Sequence, residues 1–165
     1  MINIKCEVKQ LKQFQKRLEE FEQREREELI RAIAKELAAR LLAKVTSRTP
    51  VKTGTLKRGW TSKTKEEAAS GGGHGKNPRE YANSLPIVKK GNVYEIEVFN
   101  PVEYASHFEY GHRQEVGRYV KAIGKRLKKP WVNGRFPLKI SRHELNNETP
   151  KIIREKIENQ LKKVF

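Results

Sequence analysis

Leu29, Ile33, Leu37, Leu41 and Val45 recur every four residues, with alanines filling much of the space between them. That spacing aligns the side chains along one stripe of a helix, and alanine and leucine are among the strongest helix formers. A helix so marked buries its stripe against another layer, which commits the chain to a packed fold. It is expected to end near Ser47, because Pro50 biases Thr49 away from the helical region. Upstream, Leu11, Phe14, Leu18 and Phe21 also fall at helical spacing. Residues 19–28, EEFEQREREE, read either as a solvated helix face or as a break between two helices. Ahead of these, Ile2, Ile4, Cys6 and Val8 alternate as in a short first strand with Cys6 inside.

The next stretch, TPVKTGTLKRGW at 49–60, is too basic for a buried strand and too punctuated for a helix. It predicts a helix-to-strand corner. Pro50 stops the helix, and Thr53-Gly54 allows a tight reversal with Gly54 free to take a positive φ. Leu56 and Trp60 re-enter the core on the sheet, while Lys52, Lys57 and Arg58 stay in water. Residues 63–82, running through Gly71–Gly73, have the composition of a flexible loop. Leu85 and Ile87, a Lys90-Gly91-Asn92 turn, then Tyr94, Ile96 and Val98 give a β-hairpin with one apolar face. Tyr104 and Phe108 fit a short helical turn stopped by Gly111.

Residues 112–135 are basic and aperiodic, apart from a short helix suggested across Tyr119–Leu127. Asn133-Gly134 marks a turn. Phe136, Leu138 and Ile140 alternate as a strand, and Ser141 with Glu144 has capping-box spacing for a short helix. Thr149-Pro150 reads as the N-cap and first residue of a last helix carrying Ile152, Ile153, Ile157, Leu161 and Val164. The sum is an α+β fold in a single domain, 1–165. A small, mostly antiparallel sheet packs against a long N-terminal helix and a C-terminal helix, with a long basic loop.

A chain of 165 residues can bury a core without a metal or disulfide staple. Its one cysteine permits no intrachain disulfide and fits a reducing compartment. No signal peptide or membrane span is expected, since no stretch approaches roughly 18 apolar residues. The 36 lysines and arginines against 20 acids give a net charge of +16, which favours acidic partners. Much of that excess is local. Between His112 and Arg142, ten cations stand against one acid, Glu115, with Tyr119 and Trp131 among them. Such a segment can track a nucleic-acid backbone, or dock on an acidic protein with Trp131 as a buried anchor.

Catalytic chemistry finds no positive case. GGGHGKN invites comparison with a phosphate-binding loop, but Ser70 occupies the first glycine position, Asn77 follows the lysine, and no strand precedes it. His107 and His112 stand five apart without an HExxH or a cysteine pair, which argues against zinc. Glu103 and Glu109 lack a neighbouring nucleophile or orienting group and read as neutralising nearby cations. The sequence therefore predicts no catalytic residue, metal or cofactor, and no enzyme.

Pro50, Val51, Thr53, Gly54, Leu56 and Gly59 follow a long amphipathic helix; Val102, Tyr104, Ala105, Glu109 and Gly111 follow a hairpin strand. In that order, these residues resemble the tail-component family of tailed bacteriophages typified by gene product 10 of phage HK97. The segment from GRFPLKISRHELNN onward is similar to its Gram-positive prophage branch. His112, the glycine-rich insert and the long basic loop depart from the family pattern.

The resemblance implies a structural subunit of a virion or phage-tail-like particle, assembled in the bacterial cytoplasm. It would be a neck, collar, tail-completion or tail-terminator protein whose ring joins or caps tail tube and sheath without bond chemistry. Six copies are expected at a tail tube, twelve nearer a portal. Its neighbours would be tube, sheath or head-connector proteins; nucleic acid would meet it in transit or through the basic arm, 112–135, and no membrane is involved.

Under this resemblance Pro50, Thr53, Gly54, Leu56, Trp60, Tyr104, Ala105, Glu109 and Gly111 form a structural corner. A ring repeats one heterologous interface, so complementary charges should occur on two sides of a protomer. The acid-rich 19–28 and the basic arm offer such a pair. Candidate contacts are Arg113, Arg118, Lys121, Lys125, Arg126, Lys128, Lys129 and Trp131. The alternative is a nucleic-acid-binding module using residues 113–142.

Overall fold

The computed structural model describes residues 8–51, 54–70 and 77–164. The strand expected over 2–8 lies outside the described residues except at Val8, which is already helical. Helix α1 spans Val8–Arg48, 41 residues without a break, so the acid-rich 19–28 is a stretch of one helix about 60 Å long. Thr49 closes its end by donating Oγ1–H to the Val45 carbonyl at 2.8 Å, and Pro50 prevents continuation.

Three short helices follow: α2 (Thr55–Gly59), α3 (Lys65–Ser70) and α4 (Pro78–Ser84). The corner thus opens into a helical turn rather than a strand. Helices α3 and α4 occupy much of the stretch expected as a flexible loop. Local caps explain both. The Glu67 amide donates to Thr64 Oγ1 at 3.2 Å, and the Glu67 carboxylate accepts from the Lys63 amide at 2.8 Å, a reciprocal cap for α3. Asn77 Oδ1 accepts from the Arg79 amide, and Pro78 takes the first position of α4.

The predicted hairpin is present as β1 (Ile87–Lys90) and β2 (Val93–Ile96), antiparallel, with Ile87 opposite Ile96 and Gly91 at φ 60° in the turn. Helix α5 (Ala105–Tyr110) stops at Gly111, φ 88°, as the sequence indicates. Then come β3 (Gly111–Arg113), β4 (Tyr119–Val120), a 3-10 turn at Lys121–Ile123, β5 (Lys125–Arg126) and β6 (Trp131–Asn133). The helix suggested across Tyr119–Leu127 is therefore a ribbon tip, turned by Gly124 at φ 62°. Among the described residues all strand pairing is antiparallel, in three two-stranded ladders.

Helix α6 runs from Pro137 to Val164 and replaces three expectations. The alternation at Phe136, Leu138 and Ile140 is not a strand, because Pro137 opens a helix whose first amides are capped from α5. Ser141 is no N-cap; it is buried inside α6 and receives a hydrogen bond from Arg48 at 3.3 Å. Thr149-Pro150 does not start a helix either. Pro150 lies within α6, and Thr149 Oγ1 donates to the Leu145 carbonyl at 2.7 Å.

The core sits where α1 meets α4, α6 and the hairpin. Ala38, Ala39, Leu42 and Val45 of α1 pack with Trp60, Tyr81, Ala82 and Leu85, and Ile96, Val98 and Leu138 close over them. Ion pairs flank the α1–α6 seam: Arg48 with Glu144 at 2.6 Å, and Lys44 with Glu148 at 2.7 Å. Glu36 joins three helices, at 2.9 Å from Arg40, 3.2 Å from Arg79 and 3.9 Å from Lys156. Burial alone would raise its carboxyl, but these cations outweigh it and hold it below the ordinary 4.5. No described helix is long and apolar enough to cross a membrane.

Candidate functional site

The two motifs singled out from the sequence meet in space. Gly54 takes φ 78°, as predicted, and starts α2; Thr53 lies outside the described residues. Leu56 packs in a small buried cluster with Ala68 and Val102, with Ala105 and Phe108 against it. Asn100 bridges the motifs by donating Nδ2–H to the Leu56 carbonyl at 2.9 Å and accepting from the Val102 amide at 3.1 Å. A side chain on Gly59 would run into this Asn100 amide and into Val102. Trp60 is buried and donates Nε1–H to Thr49 Oγ1 at 2.9 Å, tying the corner to the end of α1. Arg58, expected in water, instead turns inward to the Ala68 carbonyl at 2.9 Å.

The second motif ends in a hinge. Glu109 is buried, and its two carboxylate oxygens accept from the Leu138 and Lys139 amides at 2.9 and 3.0 Å. A carboxylate here satisfies orphan donors and faces the positive end of the α6 dipole. Gly111, at φ 88°, passes so close to Gly134 and the Val132 carbonyl that neither glycine has room for a side chain. Arg135 and Phe136 amides donate to the Phe108 and Glu109 carbonyls at 2.9 and 3.2 Å, closing the hinge. Tyr104 precedes α5 and is exposed. Glu103 pairs with Lys65 at 2.6 Å, in line with a neutralising role.

Beyond the hinge, β3–β6 and β4–β5 are two stretches of one long hairpin, 111–133. Arg113 stands opposite Trp131; the Gln114 amide reaches the Pro130 carbonyl at 2.8 Å, and the Leu127 amide the Arg118 carbonyl at 2.9 Å. Tyr119 then pairs with Arg126. All eight candidate contacts on this ribbon are exposed: Arg113, Arg118, Lys121, Lys125, Arg126, Lys128, Lys129 and Trp131. None of its seven cations forms an ion pair among the described residues. The acid-rich stretch of α1 is partly engaged by its own chain. Glu27 pairs with Lys89, which lowers its carboxyl below 4.5, and Glu25 accepts from Gln160 at 2.7 Å.

His107 and His112 face each other with ring centroids 5.1 Å apart. Among the described residues no group of three His, Cys, Asp or Glu is placed to hold a metal. Residues that sequence reasoning missed here are Asn100, Thr49 and Gly134. Gly134 carried only a turn signal and Asn100 only its place before Pro101 at the end of the hairpin, and nothing local in the sequence showed which distant backbone each would meet.

Fold and site define an α+β body built on two long helices, with a basic ribbon held out from a packed hinge. The chain belongs to the bacteriophage HK97-gp10 tail-component family, whose model matches residues 12–111. Its members are structural components of phage tails, which places this chain in a phage particle alongside other tail proteins. No curated protein and no solved structure matches the chain. The family match ends at the first residue of the ribbon, so the ribbon and α6 lie beyond it.

Proposed function

We propose that this protein is a ring-forming neck, collar, tail-completion or tail-terminator subunit that joins or caps the tail tube and sheath. Family membership supplies the tail. The observation that carries the ring reading is the exposed cationic ribbon on a packed base, a surface without ionic partners among the described residues. Such a projection suits contact with a neighbouring copy or an adjacent tube, sheath or connector layer. Arg113, Arg118, Lys121, Lys125, Arg126, Lys128, Lys129 and Trp131 are the proposed contacts. Its work is positional: shape and charge complementarity fix where the tube ends, and no bond is made or broken. Assembly takes place in the bacterial cytoplasm.

Native mass spectrometry and electron micrographs of the purified chain test this reading. Closed rings of six copies, or twelve next to a portal, are the expected result. A monomer that stays solitary at high concentration, and is missing from intact particles, would overturn it. A second reading, nucleic-acid binding through the ribbon, draws on the same cations with Tyr119 and Trp131. Duplex binding by the monomer that falls steeply with salt would favour that reading.

A further inference from the structure

We infer that the ribbon of one copy seats on the outer face of the β1–β2 hairpin of the next copy, an inference that rests on the ring reading above. Large exposed apolar side chains concentrate on these two surfaces. Val116, Tyr119, Ile123 and Trp131 are 46–57% exposed on the ribbon, and Val88, Val93 and Phe99 are 43–58% exposed on the hairpin and its continuation. Apolar groups gathered on a surface mark a contact that the isolated chain does not make.

Alternation sorts the hairpin into two faces. Ile96 and Val98 pack on the core, whereas Val93, Glu95, Glu97 and Phe99 are exposed, with Val88 across the ladder from Glu95. The outer face therefore carries Val88, Val93 and Phe99 with the carboxylates of Glu95 and Glu97, and one cation, Lys90, across the ladder from Val93. Glu95 holds only an exposed pair with Lys90, and Glu97 has no ion pair among the described residues. The ribbon carries apolar side chains between cations. The two surfaces match in both respects, with Trp131 as the large anchor such contacts favour.

The acid-rich stretch of α1 is the weaker landing site, because none of its described side chains is a large exposed apolar group, and Glu25 and Glu27 are bonded to Gln160 and Lys89. Both matching faces are exposed within one chain, so neither covers the other. A surface and its complement that do not meet within a protomer can repeat head to tail as a heterologous contact around an axis, the arrangement the ring reading requires.

Charge exchange tests the pairing by sedimentation velocity on the full chain. Lys125→Glu with Lys128→Glu and Lys129→Glu, or Glu95→Lys with Glu97→Lys, should each weaken self-association about tenfold or more. Combining both sets should recover most of the loss, and Trp131→Ala should weaken association with charge unchanged. Circular dichroism melts confirm that each variant folds. A wild-type ring that neither charge set disturbs, or a combined variant weaker than both, overturns this contact and leaves the ring reading standing. A wild-type chain that never associates removes both. Arm reversal that abolishes duplex DNA capture without touching association assigns the ribbon to nucleic acid instead.

Discussion

The corner and the ribbon treat polar side chains in opposite ways. In the corner and its hinge, polar groups that leave water find partners: Trp60 on Thr49, Asn100 on Leu56 and Val102, Glu109 on the first amides of α6. On the ribbon the seven cations are all exposed, and among the described residues their one side-chain bond is Arg126 to the Gly117 carbonyl at 2.7 Å, within the ribbon itself. The contrast separates two jobs. The motif residues that mark the family hold the body's shape, and the cationic contacts proposed for a partner lie past the matched segment, from Arg113 onward.

The contrast breaks first in the corner. Trp60→Ala removes a buried indole, 5% exposed, together with its bond to Thr49, and should cost about 3–5 kcal/mol in urea unfolding. A loss under about 1 kcal/mol, the size of an average surface change, would mean the corner is not part of the core. Next comes the hinge. Glu109→Ala uncaps α6 and leaves two amides unpaired, a loss of about 1–2 kcal/mol. Glu103→Ala deletes only an exposed ion pair and should cost far less than the loss at Glu109. Equal losses at the two glutamates would remove the distinction between cap and surface charge.

Acid sharpens the picture through the helix seam. Burial pushes the Glu144 carboxyl up, but Arg48 and Lys44 pull it further down, so it ends below 4.5, as Glu36 does. A carboxyl depressed by folding contributes stability above its unfolded value and loses it as pH falls through the folded one. Thermal midpoints should therefore drop as pH falls below about 4.5. Glu36→Gln with Glu144→Gln should lower the midpoint at neutral pH and flatten the decline in acid. A double variant with the wild-type slope would show that the seam's ion pairs do not couple to folding.

The helix of α1, the hairpin and the α5 stop at Gly111 were legible because each rests on local spacing or a glycine. So was the corner's use of Gly54, Leu56 and Trp60. The buried face of α1 differs from the expected stripe: it is Ala38, Ala39, Leu42 and Val45, while Leu29, Ile33, Leu37 and Leu41 are only half-buried. Helix α3 was misread although Thr64-x-x-Glu67 spells its cap; the glycines after it drew the reading toward loop. The start of α6 was not legible at all. Its cap comes from Glu109, some thirty residues away in the chain, and no window over Phe136–Ile140 contains it. The Pro150 error has a similar cause. A proline inside a helix costs roughly 3 kcal/mol on local grounds, but α6 is docked along α1 on both sides of it, through Glu144 and Glu148 before and Lys156 and Gln160 after.

The smallest expected effect tests the other half of the contrast. If Lys125, Lys128 and Lys129 hold nothing within the protomer, reversing them should not disturb the fold. Lys125→Glu, Lys128→Glu and Lys129→Glu together should leave unfolding free energy within about 0.5 kcal/mol of wild type under conditions where the chain is monomeric. Repulsion within the wild-type ribbon even argues for a slight gain at low salt, fading as salt screens it. Amide exchange should agree, with protection at Leu127, whose amide bonds the Arg118 carbonyl, unchanged by the reversal. A loss of about 2 kcal/mol or more would mean these lysines hold the protomer together. The division between a body that keeps its shape and a ribbon left open for a partner would then fail.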